Sequence, residues 1–290
     1  MTVIVIGEAL IDIVETPSGE RTEHVGGSPA NVAFGLARLE RPVILYTRVG
    51  RDRRGDRIVA HLESAGVRIA PQSRVDAATS TARAVLDSEG GATYDFDIRW
   101  DLPALELPAA TVVHTGSIAL FLEPGRDEVM RAIEHAPAIV TLDPNIRASL
   151  IGDRDTAVAI FERAVASCDL VKLSDEDARW LYPALTDDEV LGLIRERGAA
   201  IAVITRGAQG ARLSAGAASI DIEPVQVAVV DTIGAGDSFM ASLIDSLCEY
   251  GSVNLDETQL RTMGARAAAA AAITVSRAGA LLPTRQELPD

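Results

Sequence analysis

Residues 229–247 read VVDTIGAGDSFMASLIDSL, and Gly234, Ala235 and Gly236 stand directly before the acid Asp237. Large apolar residues follow at Phe239, Leu243, Ile244 and Leu247, a spacing that lays them along one face of a helix beginning near Asp237. The stretch therefore predicts a strand, a glycine turn and a helix N-terminus with a carboxylate in its first turn. Free N–H groups at a helix start favour anions, phosphate especially, and glycines allow unusual backbone angles and close approach of a ligand. A carboxylate is also favoured there by the helix dipole alone. By spacing, Asp237 is thus either a first-turn acid or a base acting on something the amides hold. The second role suits phosphoryl transfer, which asks for positioning, charge stabilisation and a base on the attacking hydroxyl. The amides of 234–237 would then form an anion hole. Asp237 would take the hydroxyl proton, a contribution of about 100- to 10,000-fold.

Such a turn needs a scaffold, and the chain alternates strand-like and helix-like segments. Candidate strands are VIVIG (3–7), VILYTRVG (43–50), TVVHTGS (111–117), AIVTLD (138–143), LVKLS (170–174) and AIAVITRG (200–207). Candidate helices fall at 29–40, 55–66, 125–136 and 155–168. Continuous apolar strands alternating with helices predict an α/β fold with a parallel sheet covered on both faces. One region breaks the rhythm: STARAVLDSEGGATYDFDI (80–98) lacks a helical period, and its SEGG centre is a turn signal. It reads as a hairpin that, with IDIVE (11–15), makes a small sheet serving as a lid. The expectation is one domain over 1–290, with a lid built from about 9–25 and 77–102.

In open α/β sheets, ligands bind outside the carboxyl ends of the strands. GEALID (7–12), HVGGSPANVAFG (24–35), DPNIR (143–147), KLSDED (172–177), TRGAQG (205–210) and DTIGAGD (231–237) all fall at such ends or on the lid. The P-loop pattern is missing. The glycine turn also lies far from the first βα unit, where a dinucleotide site belongs. The four histidines are scattered without metal-ligand spacing, and His24, beside Gly26 and Gly27, reads as structural. Composition narrows the partners. With 290 residues, 48% hydrophobic and 24% charged, the chain is an ordinary globular one. Its net charge of −15 argues against a nucleic-acid partner. The alanine run at 264–273 is too short for a membrane span and contains Arg266. No secretion signature precedes TVIVIG, and two cysteines, Cys168 and Cys248, suit a reducing cytoplasm as small buried hydrophobes.

GGSPANVAFGLARL and DTIGAGDSFMASLI resemble the two signatures of the ribokinase-like, phosphofructokinase-B type family of carbohydrate kinases. The correspondence runs nearly end to end, through GEALID, RVGRDRRGD, the hairpin, HTGSIAL, DPNIR, the T-x-G loop and the closing RAGALLP. Within the family the motifs look most like those of fructokinases and neighbouring ketose or 2-keto-sugar-acid kinases. The resemblance implies a Rossmann-like core with a β lid and transfer of a phosphoryl group from MgATP to a sugar hydroxyl. It gives Asp237 the base position and Gly234, Ala235 and Gly236 the anion hole. Asp12, Gly27 and Asn31 match sugar-binding positions, where a carboxylate and an amide suit paired hydroxyls. Arg147 matches a position near the sugar or the transferred phosphate, and Phe96 and Arg99 fall on the lid over the substrate. On the nucleotide side, Lys172 and Ser174 align with a K-x-[NS]-x-x-E element, and Thr205, Gly207 and Gly210 with the loop at the phosphates and ribose.

The chain departs from the family pattern twice. The usual glutamate is the shorter Asp177, implied to hold a water of the Mg²⁺ shell, and Ile233 stands where many relatives have threonine. Relatives often hold a monovalent cation such as K⁺ here, through backbone oxygens and the acid at Asp231. The leading expectation is a fructokinase. A 2-keto-3-deoxygluconate kinase follows, kept open by Arg99 and Arg147, and then a nucleoside kinase. A non-catalytic sugar- or nucleotide-binding regulator is the reading from another class. A one-sided apolar hairpin left open is a liability unless it closes on ligand or pairs with another subunit, and the resemblance implies a homodimer through the lids.

Overall fold

The structure is a computed structural model describing residues 1–87 and 92–289. The chain runs β1 (Val3–Ile6), β2 (Leu10–Glu15), β3 (Arg21–Gly26) and α1 (Ser28–Arg38), then β4 (Val43–Tyr46), β5 (Val49–Gly50) and α2 (Arg53–Ser64). Short strands β6 (Arg68–Ile69) and β7 (Arg74–Val75) precede the longer β8 (Thr81–Leu86) and β9 (Ala92–Asp97). There follow β10 (Val112–Gly116), α3 (Ile118–Phe121), α4 (Gly125–Glu134), β11 (Ile139–Asp143), α5 (Ala148–Ile151) and α6 (Arg154–Val165). The last third holds β12 (Leu170–Ser174), α7 (Asp175–Leu181), α8 (Asp187–Glu196), β13 (Ile201–Thr205), β14 (Ala211–Ala215) and β15 (Ala218–Ile222). Two long helices, α9 (Ala235–Tyr250) and α10 (Glu257–Val275), close the chain.

Among the described residues, nine strands form one sheet in the order β15-β14-β13-β12-β11-β10-β1-β4-β6. From β13 to β6 every pairing is parallel, and the last two strands add on antiparallel. Val3–Ile6 is buried throughout, as a strand with helices on both faces requires. Its alternate residues feed different cores: Val3 and Val5 lie with α1 and α9, Ile4 and Ile6 with α4 and α6. This is the α/β architecture, a parallel sheet covered on both faces, that the sequence predicts. Strand β1 lies between β4 and β10, and from that pair the chain winds outward in opposite directions. A crevice therefore opens at the carboxyl ends of β1 and β10, where such folds take ligands.

A second sheet has the order β3-β2-β8-β9. Ile11 and Ile13 of β2 turn into the core, while Asp12 between them points to the other face. There a cross-strand row runs His24, Asp12, Ala82, Phe96. The SEGG segment read as a turn lies outside the described residues.

Three segments differ from expectation. Among the described residues no strand precedes the glycine turn: the chain from β15 to α9 is irregular, and Val229 and Val230 are exposed, with no sheet partner to bury them. Residues 43–50 are not one strand: β4 ends at Tyr46, and β5 pairs with β7 in a separate two-stranded sheet. The break comes where the Thr47 N–H turns to Ser73 Oγ (3.0 Å) and Arg48 is buried. Helix α9 starts at Ala235, not Asp237, and all residues from Asp237 to Cys248 are buried, not one face alone. Its flanks are covered by α1 and α10, which explains an apolar pattern wider than a surface helix shows. Cys168 and Cys248 are buried. Among the described residues no helix is long and apolar enough to cross a membrane.

Candidate functional site

Gly234 caps α9 in the left-handed conformation (φ 78°), and a Cβ there would meet Ala280 Cβ at 2.8 Å. Both constraints call for glycine. The turn delivers Asp237 into the helix's first turn, 7% exposed. Ser28 Oγ donates to its Oδ1 at 2.6 Å and Asn31 Nδ2 to its Oδ2 at 2.8 Å. Burial lifts the Asp237 carboxyl above its ordinary range, against Ser28, Asn31, Lys172 and Arg147, which favour the anion. Two helix N-termini, those of α1 and α9, thus converge on one carboxylate. Ser28 lies three residues before Asn31 on α1, so the two donors share one face of that helix.

Beneath the turn, a Cβ on Gly236 would lie 3.3 Å from Lys172 Nζ, so the absent side chain leaves room over a buried ammonium. Lys172 Nζ is 2.5 Å from Asp143 Oδ2. Burial opposes the Lys172 charge, but Asp143, Asp177 and Asp237 outweigh it and hold the ammonium above its ordinary range. Burial raises Asp143 to about 6, against the pull of Lys172. Asp177 is buried, and both its oxygens accept backbone amides: Oδ1 from Ile146 (2.8 Å) and Oδ2 from Ser174 (3.0 Å). The second bond belongs to a capping box with Ser174 at the start of α7. Asp177 thereby ties α7 to the DPNIR loop. In that loop Asn145 is left-handed (φ 36°), and Arg147 Nη1 folds back onto Asn145 Oδ1 at 2.7 Å. Arg147 is exposed, and its charge bears on Glu8, Asp12 and Asp237 alike.

Gly27 caps α1 at φ 106°, and a Cβ there would sit 2.5 Å from the Glu8 carbonyl oxygen. Asp12 fills the space over Gly26, whose Cβ would meet Asp12 Oδ2 at 1.9 Å. Part of Asp12 stays open to solvent, yet withdrawal from water on its protein side lifts the carboxyl, against Arg147 and His24. His24 is exposed, opposite Asp12 across β2 and β3. Phe96 shares the Asp12 row and stacks on Tyr94, ring centroids 6.0 Å apart. Arg99 lies just beyond β9, exposed, with Asp97 at 3.9 Å.

On the far side, Ser174 and Thr205 are register partners at the ends of β12 and β13. Thr205 Oγ1 donates to the Leu173 carbonyl (3.3 Å). Gly207 (φ 53°) has open space where a side chain would be, while Gly210 (φ 83°) is demanded by the Ile222 carbonyl, 2.0 Å from its would-be Cβ. Asp231 accepts the amides of Ile233 (3.0 Å) and Gly279 (2.9 Å), bracing the glycine turn against the C-terminal segment.

Residue-by-residue reading missed Ser28, Asp143, Glu8 and Ser117, although each lies inside a motif it had marked. Glu8 and Ser117 sit side by side at the mouth of the β1/β10 crevice, 5% and 2% exposed.

The sequence pattern of the pfkB family of carbohydrate kinases matches residues 2–287. A fructokinase of Escherichia coli is 33% identical over 298 residues, covering 98% of this chain and 97% of its own. Among solved structures, a double-mutant fructokinase from Vibrio cholerae O395, bound to fructose, ADP and potassium ion, superimposes with TM-score 0.85 at 25% identity, covering 98% of this chain and 96% of that one. An uncharacterized sugar kinase from Pyrococcus horikoshii in complex with ATP gives 0.79 at 27%, covering 99% and 97%.

Proposed function

This chain belongs to the pfkB family of carbohydrate kinases, and on that premise we propose that it transfers the γ-phosphoryl group of MgATP to a hydroxyl of fructose. The observation that carries the reading is Asp237, a buried carboxylate at the start of α9, oriented by Ser28 and Asn31 beside the glycine turn. In this role Asp237 takes the proton of the acceptor hydroxyl. The amides of Gly234, Ala235 and Gly236 receive the phosphoryl group, with the Lys172 ammonium beneath them. Asn31 spends one N–H on Asp237 and keeps its carbonyl for the sugar, alongside Asp12 and the bare backbone of Gly27. Phe96 and Arg99 would cover the sugar from the second sheet, and Arg147 would face the oxyanions. Ser174, Thr205, Gly207 and Gly210 would line the nucleotide.

Mg²⁺ supplies neutralisation of phosphate charge when bound. Asp177 suits a hold through water: its oxygens each accept one amide and keep a second lone pair. Asp231, which braces two loops, suits a K⁺ site built mainly from backbone oxygens. Fructose is favoured by the names of the relatives and by the fructose in the Vibrio structure. Arg147 also favours a second reading, a sugar acid such as 2-keto-3-deoxygluconate, whose carboxylate a guanidinium would pair. A homodimer through the second sheet, where Tyr94 is 62% exposed, and a cytoplasmic location complete the proposal.

The test is ADP release with MgATP over fructose, ribose, 2-keto-3-deoxygluconate, adenosine and fructose phosphates, with Asp237→Asn alongside. The expected result is turnover on fructose that falls by about 100- to 10,000-fold in the variant. A folded wild type that binds sugar or ATP and turns over nothing would make it a binding protein instead.

A further inference from the structure

Glu8 follows β1 and Ser117 follows β10, so the two flank the crevice where the winding of the sheet reverses. The Glu8 side chain is nearly enclosed, and among the described residues its Oε2 has no hydrogen-bond partner. The nearby Ser117 hydroxyl and its own backbone only pull against the burial. Ser117 is not placed there casually. It sits at φ 54° and ψ −148°, a region that a non-glycine residue keeps only where its surroundings hold it. Its N–H donates to the Asp143 carbonyl at 3.0 Å, which fixes that backbone. Gly116 before it must be glycine, because a Cβ would strike the same carbonyl at 1.8 Å.

The charged groups that bear on Glu8 are Arg147, from the loop after β11, and Asp237, from α9. Two carboxyl groups therefore share one buried site with unequal partners. Asp237 has two side-chain donors within 2.8 Å and two cations acting on it. Glu8 has one hydroxyl and an oxygen left bare. Paired carboxyls in environments this different divide the labour of acid and anion between them.

We infer that Glu8 is a positioning residue for the phosphoryl transfer proposed above: it stays the neutral acid, so that Asp237 carries its charge with no like charge at its side. The inference rests on that reading of Asp237 as the base. Burial, opposed by Ser117, puts the Glu8 carboxyl at about 7, so the device works below neutrality and fails above it. Once Glu8 ionises, a second buried anion faces a site that must receive a negatively charged phosphoryl group.

Two measurements test this. The first is kcat/KM for the sugar against pH, in wild type and Glu8→Gln. The wild type is expected to lose about tenfold per pH unit above the Glu8 transition, as a single ionisation dictates, and the variant to lose that alkaline limb. A limb that persists in Glu8→Gln overturns the inference, as does a folded Glu8→Gln protein inactive at every pH, which would mean Glu8 works as an anion. The second is carbon-13 NMR of glutamate carboxyls in wild type without substrates. One glutamate titrating near 7 supports the inference, even if the variant fails to fold, and none doing so overturns it. A wild type that phosphorylates no sugar would sink the kinase reading and leave the titration to be read.

Discussion

Ser28 sets how basic Asp237 is. Its hydroxyl donates to Oδ1 of a carboxylate that burial alone would push toward the neutral acid. A hydrogen bond to a charged group is worth about 1.5–3 kcal/mol, and a tenfold shift in protonation about 1.4. Ser28→Ala is therefore expected to raise the Asp237 pKa further and move the acid limb of kcat/KM for the sugar upward by about one pH unit. The check is the pH profile of the variant beside wild type. A limb that stays put would show that Ser28 has no hold on the base. Asn31→Asp is the harsher change, since it sets a second carboxylate against Asp237 Oδ2 in place of a donor.

At the scale of elements, the convergence of α1 and α9 on Asp237 is secured at their opposite ends. Asp245, eight residues further along α9, is fully buried and bound by Arg41 just after α1, by Arg266 of α10 (2.5 Å) and by Arg285 (2.7 Å). Arg41 and Arg285 also reach Glu249 at 3.0 and 2.8 Å, but the buried Arg266 takes its carboxylate from Asp245, and removing that carboxylate leaves a buried charge uncompensated. Asp245→Asn is therefore expected to cost about 3–5 kcal/mol, read as a lower urea midpoint with an unchanged m-value. A loss under 1 kcal/mol would mean the arginines reach water and the cluster is ornamental to stability. The strands of this scaffold were legible in the sequence because a parallel sheet buried on both faces writes itself as unbroken apolar runs, as VIVI and VILY do. The glycine turn before α9 was legible too, since only glycine tolerates what Gly234 endures. Less legible was anything set by distant partners. Residues 43–50 read as one strand because Ser73, which draws off the Thr47 amide, lies 26 residues away. Ser28 and Asp237 are 209 residues apart, and no local pattern announces their bond. Glu8 and Ser117 likewise gain meaning only where β1 and β10 run side by side.

For the molecule as a whole, the same crowding of charge at the carboxyl edge of the sheet makes stability a matter of opposing titrations. Glu8, at about 7 when folded against 4.5 as its ordinary value, and Asp143, at about 6 against 3.8, hold protons more tightly in the native state. Their contribution is fully present below the ordinary values and is lost as pH rises through the folded ones. His114 works the other way. It lies in β10, 1% exposed, with Nδ1 3.0 Å from Thr141 Oγ1, and burial, reinforced by Lys172, pushes it down to about 3. Below its ordinary 6.5 the unfolded chain takes up a proton that the folded chain refuses, so stability falls as pH falls. Replacing His114 by asparagine deletes that term. The absolute stability of the variant is expected to be lower at pH 7, where a packed ring has been lost. Its deficit against wild type should nevertheless shrink by about 1.6 kcal/mol between pH 6.5 and 5, since the slope rises from half of about 1.4 kcal/mol per pH unit at 6.5 to nearly all of it at 5. Urea unfolding of both proteins at the two pH values measures the difference directly. A deficit that stays constant would mean that His114 takes its proton in the folded state, and that Lys172 and burial do not exclude charge from the β10–β12 edge of the crevice.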